Sequence, residues 1–141
     1  MIIFIVLTAT LLALLEIQIE GQNGWAQKLP TWHLKNSFKK LLNLPEITGY
    51  HIFLFIFVLA IFQFPFFMGL EFNFKNEIFI LKTLFLVLLL EDFLWFALNP
   101  KWGLKRFFKE EIPWQPQKLL FFPKNYWLAV LFILFLHFYK N

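Results

Sequence analysis

Four long apolar stretches divide the chain, and most polar residues gather between these stretches rather than inside them. The stretches cover residues 2–19, 50–70, 78–98 and 126–139. The first three have the length of about 17–25 residues that a helix needs to cross a bilayer. The fourth is shorter, although the apolar residues 119–122 just before it could lengthen it. We therefore predict one all-α membrane domain over residues 1–141, a bundle of four transmembrane helices with long loops at 21–49 and 99–125.

The first stretch has the features of a membrane anchor. From Ile2 to Leu15 it contains no charged residue, and its polar residues there are Thr8 and Thr10. A secretory signal begins with basic residues and ends at a small-residue cleavage site, whereas no lysine or arginine precedes Lys28 in this sequence. We therefore expect an uncleaved anchor rather than a signal that is removed.

Composition agrees with a membrane protein and excludes several other classes. Of the 141 residues, 60% are hydrophobic and 16% are charged, against about 45–50% and about 25% in a typical soluble domain. The chain has no cysteine, which excludes a disulfide scaffold. With five glycines, no glycine-rich phosphate loop, and Ser37 as its single serine, it offers neither a nucleotide fold nor a serine nucleophile.

The basic residues set the expected orientation in the membrane. Ten of the 13 lysines and arginines lie in the two long loops, residues 21–49 and 99–125. Because basic loops stay on the cytoplasmic side, we expect both loops in the cytoplasm and both termini outside the inner membrane. The net charge of +4 is then a topology signal, and we expect no nucleic-acid partner.

Both long loops are expected to lie on the membrane surface. In the first, the string HLKNSFKKLLNL over residues 33–44 has the spacing of an amphipathic interfacial helix. Its lysines either contact anionic head groups or simply fix the topology, and both possibilities stay open. The second loop mixes aromatic rings with basic side chains, which favour the head-group layer. The predicted contacts with lipid at the interface are Trp25, Trp32, Lys35, Lys39, Lys40, Trp102, Arg106 and Trp114.

Five ionisable side chains are expected to meet at one depth, near the cytoplasmic ends of the helices. This candidate polar cluster comprises Glu16, Glu20, His51, Glu91 and Asp92. Glu16 and Glu20 are four residues apart, so they lie on one helical face and repel each other when both are ionised. Glu91 and Asp92 point about 100° apart around their helix, so we expect Glu91, by its reach, to face the bundle.

Three interpretations of this cluster stay open, namely a metal or proton site, polar pairing that stabilises the bundle, and contact with a partner subunit. Carboxylates and histidine are suitable ligands for iron, manganese or zinc, and four-helix bundles build metal sites from inward-facing residues of these types. The Glu-x-x-His spacing of such sites is missing, since Ile19 follows Glu16 and Leu94 follows Glu91 at that distance. The same polar residues could instead stabilise the bundle, by reaching water, capping a helix or pairing with basic loop residues, or they could contact a partner subunit.

Two strings resemble those of small uncharacterised prokaryotic membrane proteins with four predicted helices. They are EGQNGWAQKLPTWH over residues 20–33 and EDFLWFALNPKWG over residues 91–103. The resemblance implies a four-helix membrane fold and supplies neither an activity nor catalytic residues.

The sequence contains no complete catalytic constellation, so our leading expectation is a non-catalytic accessory or structural subunit of a larger membrane assembly. Its partners would be the lipid bilayer and other membrane subunits. The alternative is a metal- or proton-dependent membrane enzyme or carrier that uses Glu16, Glu20, His51 and Glu91.

Overall fold

The structure, a computed structural model, describes residues 1–34, 46–109, 112–115 and 117–139. These residues are mostly helical, as predicted. Their helices are α1 (Ile2–Glu20), α2 (Gly49–Phe67), α3 (Phe74–Leu98), α4 (Gly103–Lys109) and α5 (Lys124–Tyr139). Two short antiparallel strand pairs close the loops, and they are β1 (His33–Leu34) with β2 (Ile47–Thr48), and β3 (Lys118–Leu119) with β4 (Phe122–Pro123).

Helix α1 packs most extensively against α3. Its buried residues, Ala9, Ala13, Ile17 and Glu20, recur every three or four positions and so form one stripe along the helix. Small alanine side chains let two helices approach closely. The same packing brings the acidic end of α1 next to the carboxyl end of α3.

Helix α2 begins at a capped end and stops soon after a proline. The hydroxyl of Thr48 accepts a hydrogen bond of 3.3 Å from the His51 amide, which satisfies one free donor of the first turn. Pro65 lies in the last turn, and the chain then turns through Gly69 with a φ of +99°. The helix therefore ends at Phe67, three residues before the end of the apolar stretch.

Helix α3 occupies the centre of the fold and contacts α1, α2, α4 and α5. It begins four residues earlier than the apolar stretch, because the Asn73 side chain caps it by accepting from the Asn76 amide at 2.9 Å. At its other end, the Asn99 amide group donates to the Gly21 carbonyl at 2.9 Å. Helix α3 is also bonded to α2, since the Gln63 side chain of α2 donates to the Glu77 carboxylate of α3 at 2.9 Å.

Within the described residues, α1 and α2 are the helices long and apolar enough to cross a membrane. Their most apolar 18-residue windows have mean hydropathies of 2.4 and 2.1, and 17% and 11% of those windows are buried inside the protein. Helix α3 carries more charged residues, and α5 has 16 residues. The four-span bundle therefore stays a prediction.

The second long loop folds into a buried aromatic cluster with the end of α3. Trp102 and Trp114 are each 7% exposed. The Trp102 indole N–H donates to the Gln22 carbonyl at 3.1 Å, and the Arg106 guanidinium lies 4.1 Å from the centre of the Trp102 ring. These two tryptophans are therefore core residues of the loop, where the sequence had suggested contact with lipid.

The other predicted interface residues have different positions. Trp25 packs into the protein against His51. Trp32 is 48% exposed, although its ring also covers Gly49 so closely that an added Cβ would lie 2.6 Å from it. Lys35, Lys39 and Lys40, with most of the predicted amphipathic segment, lie outside the described residues.

Candidate functional site

A cavity of about 220 Å³ lies between α1, α2 and α3, at their loop ends. Its walls include all five members of the predicted polar cluster, Glu16, Glu20, His51, Glu91 and Asp92. They meet because α1 and α3 end, and α2 begins, at the same end of the fold. The remaining walls are aliphatic toward the middle of the helices and aromatic toward the loops.

The Glu20 carboxylate holds the turn that follows α1. One of its oxygens accepts from the Ala26 amide at 2.7 Å, and the other accepts from the Trp25 amide at 3.0 Å. Trp25 and Ala26 have φ angles of +50° and +51°, which non-glycine residues adopt only when the surroundings hold them there. Glu20 is thus a fixed element of the site.

The turn also leaves little room around the indole rings. A Cβ added at Gly24 would lie 2.5 Å from the Trp114 ring and 2.8 Å from the Trp95 ring. Gly24 has a φ of +62°, a conformation that glycine adopts without strain. Because Gly24 has no side chain, the Trp95 and Trp114 rings, which line the cavity, can pack against the turn.

The His51 ring is held on both edges and on one face. Its Nε2 lies 3.2 Å from the nearer Glu20 oxygen, and its Nδ1 lies 2.6 Å from the hydroxyl of Thr48, which is fully buried. The Trp25 indole stacks on the ring with centroids 4.2 Å apart and an interplanar angle of 21°. The imidazole therefore has one orientation, with Nε2 toward the carboxylates.

Glu16, Glu20 and His51 form a group with the composition and spacing of a metal site. Each offers one ligand atom, and the three atoms lie within 4.8 Å of one another. Ligand bonds of about 2.0–2.2 Å place the ligand atoms of a tetrahedral ion about 3–4 Å apart. The three atoms would therefore have to move slightly closer together to surround one ion.

Glu91 faces this group from α3. The residue is 8% exposed, and its Oε1 has no hydrogen-bond partner among the described residues. Glu91 and Glu16 are close enough for their charges to interact. A buried carboxylate oxygen without a donor is unfavourable.

Asp92 also lines the cavity, but its carboxylate is already engaged. The Tyr126 hydroxyl donates to one oxygen in a short hydrogen bond, and the Gln115 side chain donates to the other at 3.5 Å. These bonds tie α3 to α5 and to the second loop. Basic loop residues were among the partners considered from the sequence, and the observed partners are instead a neutral hydroxyl and an amide.

The electrostatics of the cavity are unbalanced. Its lining contains four carboxyl groups and one imidazole, and none of the described lining residues is lysine or arginine. Carboxylates that are removed from water without a counter-charge are destabilising. A bound cation would stabilise the ionised forms of these groups.

The sequence analysis did not identify three residues in or next to the site, which are Thr48, Trp95 and Tyr126. Thr48 could have been recognised, since a threonine three residues before His51 at the start of an apolar stretch is a typical helix cap. Trp95 and Tyr126 carry no such signal, because aromatic residues are abundant throughout this chain.

Comparisons of the chain with protein-family models, with curated proteins and with solved structures find no match.

Proposed function

We propose that the chain is a multi-pass inner-membrane protein that binds a divalent transition metal, iron, manganese or zinc, at Glu16, Glu20 and His51. This is the metal-dependent form of the enzyme or carrier that the sequence left as an alternative. The observation that carries the proposal is the group of three ligand atoms within 4.8 Å of one another, on the wall of a cavity whose described lining lacks a basic side chain.

The outer surfaces of the helices support the membrane part of the proposal. Large apolar side chains are exposed along α1, α2 and α5, for example Leu11, Phe57 and Leu131 at 59%, 62% and 62%. So many exposed large apolar side chains need lipid or another protein to cover them. We propose α3 and α5 as the two further spans, with the basic loops in the cytoplasm and both termini outside.

The surroundings of His51 support the metal part. Histidine ligands bind through one ring nitrogen while a second-shell group holds the other. Thr48 can accept a hydrogen bond from Nδ1–H, and this tautomer leaves the lone pair of Nε2 free beside Glu20. Oxygen and nitrogen ligands of these types suit iron, manganese and zinc.

The geometry also supports a site that keeps an open position. Three protein ligands and a cavity beside them are the arrangement of catalytic rather than structural sites. When bound, such an ion supplies Lewis-acid chemistry to a group in the cavity.

The test is the metal content of the purified full-length protein in detergent. We expect about one equivalent of metal in the wild type, after loading with iron, manganese or zinc, and a loss of it in Glu16→Gln and His51→Ala. A substitution of Glu16 tests metal binding more directly than one of Glu20, because the Glu20 carboxylate also accepts from the backbone amides of the loop. His137→Ala, which changes an exposed histidine near the far end of α5, is the matched control.

Absence of stoichiometric metal after loading would contradict the proposal. Equal metal in Glu16→Gln, His51→Ala and the wild type would also contradict it. Helical circular dichroism and a single peak in size-exclusion chromatography show that each variant is folded.

The accessory-subunit function is the second proposal, favoured by the exposed aromatic face of α2. Phe53 and Phe57 are 65% and 62% exposed on one side of that helix, and aromatic side chains are enriched where proteins meet. A complex of constant stoichiometry with another membrane protein is expected in mild detergent. A chain that purifies alone, as a monomer, would contradict this function.

A further inference from the structure

Two unsatisfied polar atoms belong to one wall of the cavity, which we call the open wall and define by Glu91 and Trp95. Glu91 Oε1 is an acceptor, and the Trp95 indole N–H is a donor. Neither atom has a hydrogen-bond partner within the part of the chain that the structure describes, and both residues are buried. Four residues apart on α3, they lie on the same helical face, and both line the same cavity.

The cavity continues from the open wall along aliphatic side chains. Leu12 and Leu88 lie about one turn from Glu16 and Glu91, and Val58 lies about two turns from His51, all toward the middle of their helices. Phe55, which also lines the cavity, is 41% exposed. The cavity therefore has a polar end, an apolar end, and a side that reaches the outer apolar surface of α2.

The size of the cavity limits what it can hold. Its volume of about 220 Å³ is below the range of about 300–1,000 Å³ that is typical of sites for whole drug-sized ligands. It fits a small polar group and the first part of a chain, while the rest of the chain lies in the surrounding apolar phase.

We propose that the open wall binds the hydroxyl group of a long-chain alcohol, whose hydrocarbon chain runs over Leu12, Val58 and Leu88. The hydroxyl donates to the free Glu91 oxygen and accepts from the Trp95 indole N–H. This inference deepens the proposed function and rests on it, since it names a ligand for the cavity beside the metal ligands.

The unsatisfied atoms distinguish a hydroxyl from other polar groups. A hydroxyl offers a donor and an acceptor on a single atom. An ammonium group offers donors alone and would leave the Trp95 N–H unsatisfied, and a carboxylate offers acceptors alone and would supply no donor to the Glu91 oxygen. Water satisfies both atoms but leaves the aliphatic half of the cavity without a partner.

The experiment measures photocrosslinking of a hexadecanol that carries a diazirine and an alkyne in its chain. The protein is the full chain in phosphatidylcholine nanodiscs, and the competitors are unlabelled hexadecanol and its methyl ether, which has no donor. We expect saturable labelling of peptides that contain Leu12, Val58 or Leu88. Hexadecanol should compete at least tenfold better than the ether, since a buried polar atom left without its hydrogen bond corresponds to about tenfold or more in affinity.

Two variants test the named atoms. Trp95→Phe keeps an aromatic ring and removes the donor, and Glu91→Leu removes the acceptor. Each should weaken binding about tenfold. Trp127→Phe is the matched control and should leave binding unchanged, because the Trp127 indole donates at 2.8 Å to the Leu119 carbonyl, a pairing outside the cavity. If Glu91→Leu fails to fold, Trp95→Phe decides the result.

Three results would overturn the inference: labelling that does not saturate, equal competition by the ether, or wild-type binding by Trp95→Phe. Water alone would then satisfy the open wall. The metal content of the same samples separates this failure from failure of the proposed function. Bound metal without saturable labelling removes the alcohol site alone, and saturable labelling without metal removes the metal site alone.

Discussion

The two walls of the polar cavity differ in how their hydrogen bonds are satisfied. On the satisfied wall, which we define as Glu20 and His51, both Glu20 oxygens accept from backbone amides and the imidazole Nδ1 is paired with the Thr48 hydroxyl. On the open wall, Glu91 and Trp95 each keep an atom without one among the described residues. The comparison teaches that bonds within the protein hold the first wall in place, whereas the second keeps two polar atoms that the described residues do not satisfy.

The largest expected effect is on the satisfied wall, from Glu20→Gln. The amide keeps the size of the side chain but replaces one acceptor oxygen by a donor, so a charge-assisted bond to the turn is lost and the other is weakened. We expect the free energy of unfolding to fall by about 3 kcal/mol, measured by denaturation in detergent.

Glu71→Gln, at an exposed acid between α2 and α3, is the control for charge and should change stability by less than about 0.5 kcal/mol. Similar losses in both variants would mean that the Glu20 bonds do not hold this wall.

Thr48→Val should have the next largest effect, because it removes the group that orients His51 without touching the carboxylates. Loss of a second-shell partner typically lowers metal affinity about 10–100-fold, and loss of the helix cap should lower stability by about 1 kcal/mol. Metal titration of the purified protein measures the first effect. Thr48→Ser should restore affinity, and failure to do so would assign the effect to packing of the threonine methyl group.

Tyr126→Phe should have a smaller effect, confined to stability. It removes the hydroxyl that donates to Asp92 and keeps the ring, so we expect the free energy of unfolding to fall by about 1.5 kcal/mol. Metal content should not change, since Asp92 is not among the three proposed ligands. A parallel loss of metal would contradict this expectation and would indicate that Asp92 is also a ligand.

Gln63→Leu should have the smallest effect, because its hydrogen bond to Glu77 lies outside the cavity. Side-chain hydrogen bonds between membrane helices contribute about 0.6 kcal/mol on average. Thermal unfolding should show a change of this size, with unchanged metal binding and unchanged alcohol labelling. A larger loss of either ligand would show that the cavity depends on the whole α2–α3 contact.

The helices could be predicted from the sequence because apolar runs directly report which segments need burial or lipid. Their ends were less accurate, since Asn73 and Gly69 set them through capping and turn geometry rather than through hydrophobicity. The loop tryptophans were the hardest to interpret. Aromatic and basic residues are equally typical of a loop on a membrane and of a folded aromatic cluster, and Trp102 and Trp114 belong to the second.

The grouping of the site residues followed from helix direction, which fixes depth along a bundle. Their individual partners did not, because a hydrogen bond depends on shifts of about 1 Å that residue types cannot encode. Asp92 meets Tyr126 rather than a basic residue for this reason. The division into a satisfied and an open wall therefore needed coordinates.

The carboxylate of Glu20 faces two ways, toward the cavity and toward the backbone amides of Trp25 and Ala26. A cation bound to this carboxylate would weaken its hydrogen bonds to those amides, so binding in the cavity and the conformation of the loop would be thermodynamically linked. Such linkage is reciprocal. A molecule that bound the loop would change the affinity of the cavity for its occupant by the same factor.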